Sequence, residues 1–407
     1  MAILIRQELY KLFKRKKTLV VIVGFILLTV FLCYGIKQNA YYMEQYSKPE
    51  FQIQNLEENI AYLEKDMENI PEEIKNDKDE VKLYQDRIQS DIKMMEEELK
   101  ILKTRVDENL SWEEILKQDI LEHEKMIEDN KALYSSGDLV SMKLELEQLK
   151  YLQYKEIKPQ ENYDFNAFIY INELVLQLGQ IFLAIGIAVF AADIVSGEWT
   201  PPTMKLLLAQ PVSRGKVLLS KFLAVAIAAV GLIILIELLS FILVGFLFGF
   251  GDMNYPTAIG KAFDWDLSVL LENGSHPLEL IDGSWRIVPV WQYSFMLFGY
   301  QGLFILAVTS FVFMISSIVK SSMVSMGASV VSLIAATIVF QISSFYGLSK
   351  FVFTTYSSIG EMITGDISVY LNDPNFTAIT GILVLVGWTI LCYIFSHILF
   401  TRRDLLI

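Results

Sequence analysis

The chain has 407 residues, 53% hydrophobic and 20% charged, with a mean hydropathy of +0.40. A single soluble domain does not combine so much apolar residue with so much charge, and here the two kinds are segregated. Of the 47 acidic residues, 32 lie between Glu44 and Asp164, against about half as many basic ones, so the net charge of −13 belongs to one segment. Such an acidic balance argues against nucleic acid as a partner.

Ile3, Ile5, Leu9, Leu12 and Phe13 alternate with Arg6, Glu8 and Lys11 at helical spacing. That pattern predicts a short amphipathic helix at a membrane surface, followed by the basic cluster Lys14 to Lys17 (residues 1–17 together). The uncharged stretch 18–35 is just long enough to span a bilayer. Cys33-Tyr34-Gly35-Ile36-Lys37 is a poor cleavage site, so the stretch reads as a retained first span rather than a signal peptide. Both cysteines, Cys33 and Cys392, sit in apolar runs.

Residues 36–163 form the acidic segment. Apolar residues recur at Ile53, Leu56, Ile60, Leu63, Met67, Ile70 and Ile74, then at Val81, Tyr84, Ile88, Ile92, Met95, Leu99, Leu102 and Val106. This is a heptad seam with one stutter, interrupted at Pro71. Ser111-Trp112-Glu113-Glu114 is a capping box that opens a second arm, broken again near Ser135 to Asp138. Two arrangements fit. One is an antiparallel hairpin with arms of about 45–60 residues, reaching on the order of 65–90 Å at ~1.5 Å per residue. The other is a compact bundle folded back at Pro71 and Gly137.

In 164–407, five apolar runs follow, at about 175–192, 222–250, 295–319, 323–343 and 378–400. With six spans, the lysines and arginines of the N-terminus, of the loop 193–221, of Lys320 and of Arg402 and Arg403 all fall on one side, which the positive-inside rule makes cytoplasmic. The expected fold is therefore an all-α membrane protein of six transmembrane helices, with an extracellular helical hairpin or coiled-coil insertion between the first and second. Both termini are expected inside a bacterial cell membrane and the acidic stalk outside.

Catalytic patterns are missing from the sequence. His123, His276 and His397 have no zinc-type spacing, and neither a Walker A sequence nor a Gly-x-Ser-x-Gly elbow occurs. The informative stretch is the loop Asp193 to Arg214, running on to Lys221. It contains Glu198, Thr203, Lys205, Leu206, Leu207, Leu208, then Pro211-Val212-Ser213-Arg214. As a plain basic loop it would rest on lipid headgroups.

With its order of residues, however, this loop resembles that of the permease subunits of ATP-binding-cassette transporters, the type-2 export permease family. Phe400-Thr401-Arg402-Arg403-Asp404 resembles the ending common in that family, and the similarity covers most of the chain except the stalk. Pro201-Pro202 departs from it, since the family more often has Gly before the Thr. The resemblance implies that Glu198, Thr203, Lys205, Leu206 to Leu208, Pro211 and Arg214 couple to a separate ATPase subunit. It also implies that Ile5, Leu9, Leu12 and Phe13 belong to an interface helix touching it, and that ATP and Mg are held by that ATPase and no cofactor by this chain. A second permease copy, identical or similar, is implied as well.

Two regions stay open. Residues 345–375 fit either short helices dipping back into the outer leaflet or an external amphipathic loop. Glu237, near the middle of the third run, must face a partner or a wet cavity. It either lines a translocation path or binds a cation, with Gln177 and Gln180 as lesser candidates, or it is a protonated acid bonded across a helix interface, for instance to Gln341 or to a second copy. The functions that follow are an exporter of peptides, antibiotics or lipid-like substrates, with a sodium-exporting permease as runner-up, or a membrane-anchored coiled-coil scaffold or sensor whose stalk recruits an external partner.

Overall fold

A computed structural model describes residues 1–70, 78–108, 110–129, 136–199, 212–270, 274, 276–339 and 346–402, omitting the side chains of Glu68, Ser136, Gln180 and Tyr346. It is mostly helical and divides into two units. The first comprises Met1–Tyr34, Asn130–Gln148 and Asn166–Ile407, and the second Gly35–Asp129 and Leu149–Phe165.

Six helical segments are long and apolar enough to cross a membrane. After α1 (Ala2–Lys14) comes α2 (Lys16–Ser47), which continues well past the expected end of the first span because nothing in Lys37 to Ser47 breaks a helix. The second span is discontinuous. α7 (Ala167–Gln180) stops at Ile181, whose φ of −139° and ψ of −38° leave helical geometry, and α8 (Phe182–Ala191) resumes at once. A short 3-10 turn, Ser196–Trp199, closes it. Then follow α9 (Arg214–Phe248), α10 (Val290–Ile318), α11 (Ser322–Val339), three short helical turns α12 (Tyr346–Ser349), α13 (Ile359–Thr364) and α14 (Ile367–Tyr370), and α15 (Ala378–Arg402). α10 is the central helix, packed on α7, α8, α9, α11 and α15. Its buried face mixes Phe304, Ile305, Val308 and Phe313 with Ser294, Gln301, Thr309, Ser310 and Ser316. Such small and hydroxylated side chains let apolar helices approach and bond across their interface.

The expectation of an all-α chain is corrected between α9 and α10. β1 (Pro256–Ile259) pairs antiparallel with β4 (Arg286–Pro289), Thr257 opposite Val288, and β2 (Phe263–Trp265) pairs antiparallel with β3 (Leu278–Leu280). Runs of three or four residues are too short for period-two alternation to announce them. Residues 136–148 of α6 (Ser136–Lys155) pack on this ribbon. Val140 and Leu144 meet Ala258 and Leu280, Trp285 Nε1 donates to Glu147 Oε2 at 2.7 Å, and Lys143 pairs with Asp282.

The ribbon is stitched in turn to the connection between α11 and α15. Lys261 N donates to Thr364 O at 2.8 Å and Gly260 N to Ile363 O at 2.9 Å. Gly365 makes this possible: its φ is +96°, and a Cβ there would lie 2.0 Å from Lys261 O. Gly365→Ala is therefore expected to destabilise the protein by about 3 kcal/mol or more, combining left-handed strain with displacement of two backbone bonds, and a lowered Tm of the purified protein would register it.

In the second unit, α3 (Pro49–Glu68) runs antiparallel to α4 (Lys78–Asp107). Tyr84 OH donates to Asp66 Oδ2 at 2.8 Å, and Lys103 pairs with Glu57 at 2.6 Å. The chain thus folds back between α3 and α4, and the straight long arm is corrected in favour of the fold-back; Pro71 itself lies outside the described residues. Proline supplies the reason, lacking an N–H and clashing with the preceding turn. α5 (Trp112–Asp129) begins at the predicted capping box. There Ser111 N donates to Glu114 Oε2 at 2.9 Å and Glu114 N to Ser111 Oγ at 3.4 Å, and the backbone bond from Ser111, helped by its hydroxyl, holds the Glu114 carboxyl below the usual carboxylate range. Lys150 pairs with Glu124 at 2.7 Å.

Candidate functional site

The N-terminal helix and the described parts of the loop singled out in the sequence, 193–199 and 212–221, converge at one end of the spans. α9 begins eight residues before the expected third span, at Arg214, because charged residues end an apolar run without ending a helix. Its second turn delivers Lys221, 1% exposed, to two buried carboxylates. Lys221 Nζ lies 2.9 Å from Glu8 Oε2 on α1 and 2.6 Å from Glu198 Oε1 in the 3-10 turn. Lys11 pairs with the other oxygen of Glu8 at 3.1 Å, so among the described residues two cations meet two anions. Buried charges persist only where they are paired and bonded in this way.

A second set of bonds fixes the end of the second span. Ser316 Oγ on α10 accepts from Val195 N at 3.2 Å and Ser196 N at 3.0 Å. Ala192 O, left over at the end of α8, accepts from Ser196 Oγ at 2.9 Å and Ser325 Oγ at 2.6 Å. Arg15 and Lys17 pair with Asp193 at 3.4 and 3.0 Å, and Lys320 Nζ lies 5.1 Å from the centre of the Trp199 ring. Five elements (α1, the start of α2, the 196–199 turn, the start of α9 and the α10–α11 corner) are thereby tied by charge or hydroxyl.

Of the expected interface residues, Leu12 is buried, Ile5 and Leu9 are half-buried, and Phe13 is exposed. The face is rotated from the expected one because Glu8, read from its pattern as solvent-facing, turns inward to Lys221. Glu198 joins the cluster, and Arg214 opens α9 on its exposed side. Thr203, Lys205, Leu206, Leu207, Leu208 and Pro211 lie outside the described residues. Sequence reasoning missed Glu8, Asp193, Ser316 and Ser325 as members. Only the charge of Glu8 and Asp193 beside apolar runs hinted at a partner, and serine inside an apolar helix carries no distinguishing pattern.

A family model described as ABC-2 family transporter protein matches residues 2–405. The chain belongs to that family. No curated protein matches the chain. As an ABC-2 permease it is a multi-pass membrane protein of an ABC exporter, a class that is not itself catalytic and that implies an ABC ATPase partner.

Deeper in this permease, Glu237 on α9 is fully buried and accepts from Gln301 Nε2 of α10 at 2.6 Å. Its partner is therefore Gln301, whereas Gln341, the residue expected from sequence, lies outside the described residues. Gln177 is half-buried on α7, and Gln180 ends that helix. Glu237 Oε2 and Gln301 Oε1 have no partner among the described residues. Glu237→Leu alone strands the Gln301 amide and is expected to cost about 1–3 kcal/mol. The double variant Glu237→Leu, Gln301→Leu is expected to recover most of that loss, and a double-mutant cycle on thermal unfolding measures the coupling.

Proposed function

We propose that the end of the permease built from α1 and residues 193–221 docks a separate ATP-binding-cassette ATPase, and that the permease exports a peptide, antibiotic or lipid-like substrate across a bacterial cell membrane. ATP and Mg belong to that ATPase. This chain supplies a lever. The observation that carries the reading is Lys221, buried between Glu8 and Glu198, because a push on α1 or on the turn at 196–199 reaches the third span through charges that cannot slip. Serine bonds from Ser316 pass the same displacement to α10. Packed elements with discrete arrangements respond to such a push by rigid-body movement rather than by stretching.

In this reading both termini and residues 196–214 face the cytoplasm, the acidic stalk faces outward, and a second permease copy completes the transporter, with the stalk open to an external partner. The test is affinity purification of the intact protein from its own membranes. An ABC ATPase recovered in comparable amount supports the reading. Labelling of a Ser213→Cys variant by an impermeant reagent added outside intact cells would overturn it. A cation-exporting permease is the second reading, favoured by the free carboxylate oxygen of Glu237. Cation-stimulated ATPase activity that survives Glu237→Gln would discard it.

A further inference from the structure

The opposite end of the spans carries a cavity that the docking reading does not use. Between the break at Ile181, the last described turn of α11 and the α12–α14 connection lies a space of about 280 Å3. Its polar wall is made by Thr354, Thr355, Ser357, Ser358, Glu361 and Tyr370, its apolar wall by Ile181, Ile338 and Leu371. No lysine or arginine lines it among the described residues. Two atoms on the polar wall have no partner among the described residues: Oγ1 of Thr354, which is 2% exposed, and Oε2 of Glu361, whose carboxyl is otherwise bonded to Ser358. A buried carboxylate oxygen and a buried hydroxyl without partners are costly unless something occupies the space beside them.

Charge and size define the occupant. The nearby cation, Lys261, is already committed to Asp366 at 2.6 Å. Every polar lining group offers an acceptor oxygen, and a single carboxylate supplies the only formal charge of the cavity's described lining. The volume exceeds what a bare metal ion needs, and the described lining has no second carboxylate to ligate one. An ammonium group matches on all counts, with three N–H donors for three oxygens and a carbon stem for the apolar wall. Glu361 and Tyr370 also line a second cavity of about 440 Å3, shared with Lys261, Asp366 and Leu144.

We infer that the cavity closed by Thr354, Ser358 and Glu361 is a binding site for a primary ammonium group, carried either by a free amine or by an aminated lipid headgroup. Burial, reinforced by the charge of Asp366, pushes the empty Glu361 carboxyl above its usual range, and a bound ammonium reverses this. The site is a property of the resting permease and stands whether or not an ATPase docks at the other end.

The test uses the intact protein in nanodiscs of phosphatidylglycerol, with n-butylammonium as probe and n-butanol as its neutral counterpart. Butylammonium is expected to bind saturably and raise Tm, as any ligand of the folded state does, while butanol has no matching effect. Glu361→Gln is expected to weaken butylammonium at least tenfold and Thr354→Val by a few fold. Lys261→Met, which leaves Asp366 unpaired beside the site, is expected to tighten it by a few fold. Equal binding of butanol, or unchanged binding in Glu361→Gln, overturns the inference. If Glu361→Gln does not fold, unchanged binding in both Thr354→Val and Lys261→Met does the same. Competition by added phosphatidylethanolamine identifies the lipid headgroup as the source, and its failure to compete identifies the free amine.

Discussion

Lys221→Met is expected to destabilise the permease by about 3–5 kcal/mol, the usual cost of removing one partner from a buried ion pair. Methionine fills nearly the same volume, so the loss is electrostatic. Glu8 and Glu198 remain buried after losing the cation they share, and Lys11, half outside, still pairs with Glu8. The two carboxylates then either take up protons or pull α1 and the 196–199 turn away from α9. Thermal unfolding in detergent reads the loss. The companion variant Glu8→Gln, Lys221→Met, Glu198→Gln removes all three charges and is expected to regain most of the stability, because neutral groups of similar shape pack without the desolvation cost. It is also expected to bind the ATPase while transmitting its stroke poorly, seen as ATPase activity that no longer responds to the permease. A triple variant as unstable as Lys221→Met would show that the cluster matters through shape rather than charge.

The second large effect is on association rather than folding. Leu207→Glu is expected to weaken binding of the ATPase by about 2–5 kcal/mol, or roughly 30-fold and upward, since a charge forced into an apolar docking groove has no partner there. Leu206, Leu207 and Leu208 stand together in the sequence, between Met204-Lys205 and Ala209-Gln210, and under the docking proposal they would form the apolar core of a small interface with Lys205 and Arg214 at its rim. Copurified ATPase should fall sharply while the permease keeps its Tm. Loss of stability instead would place these leucines in the permease's own core, and an undiminished complex would move the docking surface elsewhere.

Much of this architecture was legible because apolar run length is a physical requirement for spanning a bilayer. The six apolar segments and the capping box at Ser111 were read from that logic and from cap chemistry. Lys221 and Glu198 were picked out by resemblance, yet the third member of their cluster, Glu8, was assigned to the wrong face of its helix. A helical wheel scores each residue against water, and a glutamate whose partner lies 213 positions away is invisible to it. The same limit hid Gln301 as the partner of Glu237. The strands of the ribbon were missed for another reason: four residues of Pro-Thr-Ala-Ile carry no periodicity, and their partners, Arg286 to Pro289, lie about thirty positions on. The break at Ile181 had no proline to announce it. Close by, another segment approaches α7 tightly, for a Cβ at Gly179 would sit 2.3 Å from Ser357 O.

That interrupted span has a mechanical consequence. One piece, α8, ends in the serine-bonded corner beside the ion cluster, while the other, α7, is pinned through Gly179 to the hydroxyl-rich connection. An intact rod would carry torque from one face of the bilayer to the other undiminished. Two rods meeting at Ile181 share a pivot instead, so a thrust at the far end of α8 can swing one without rotating the other.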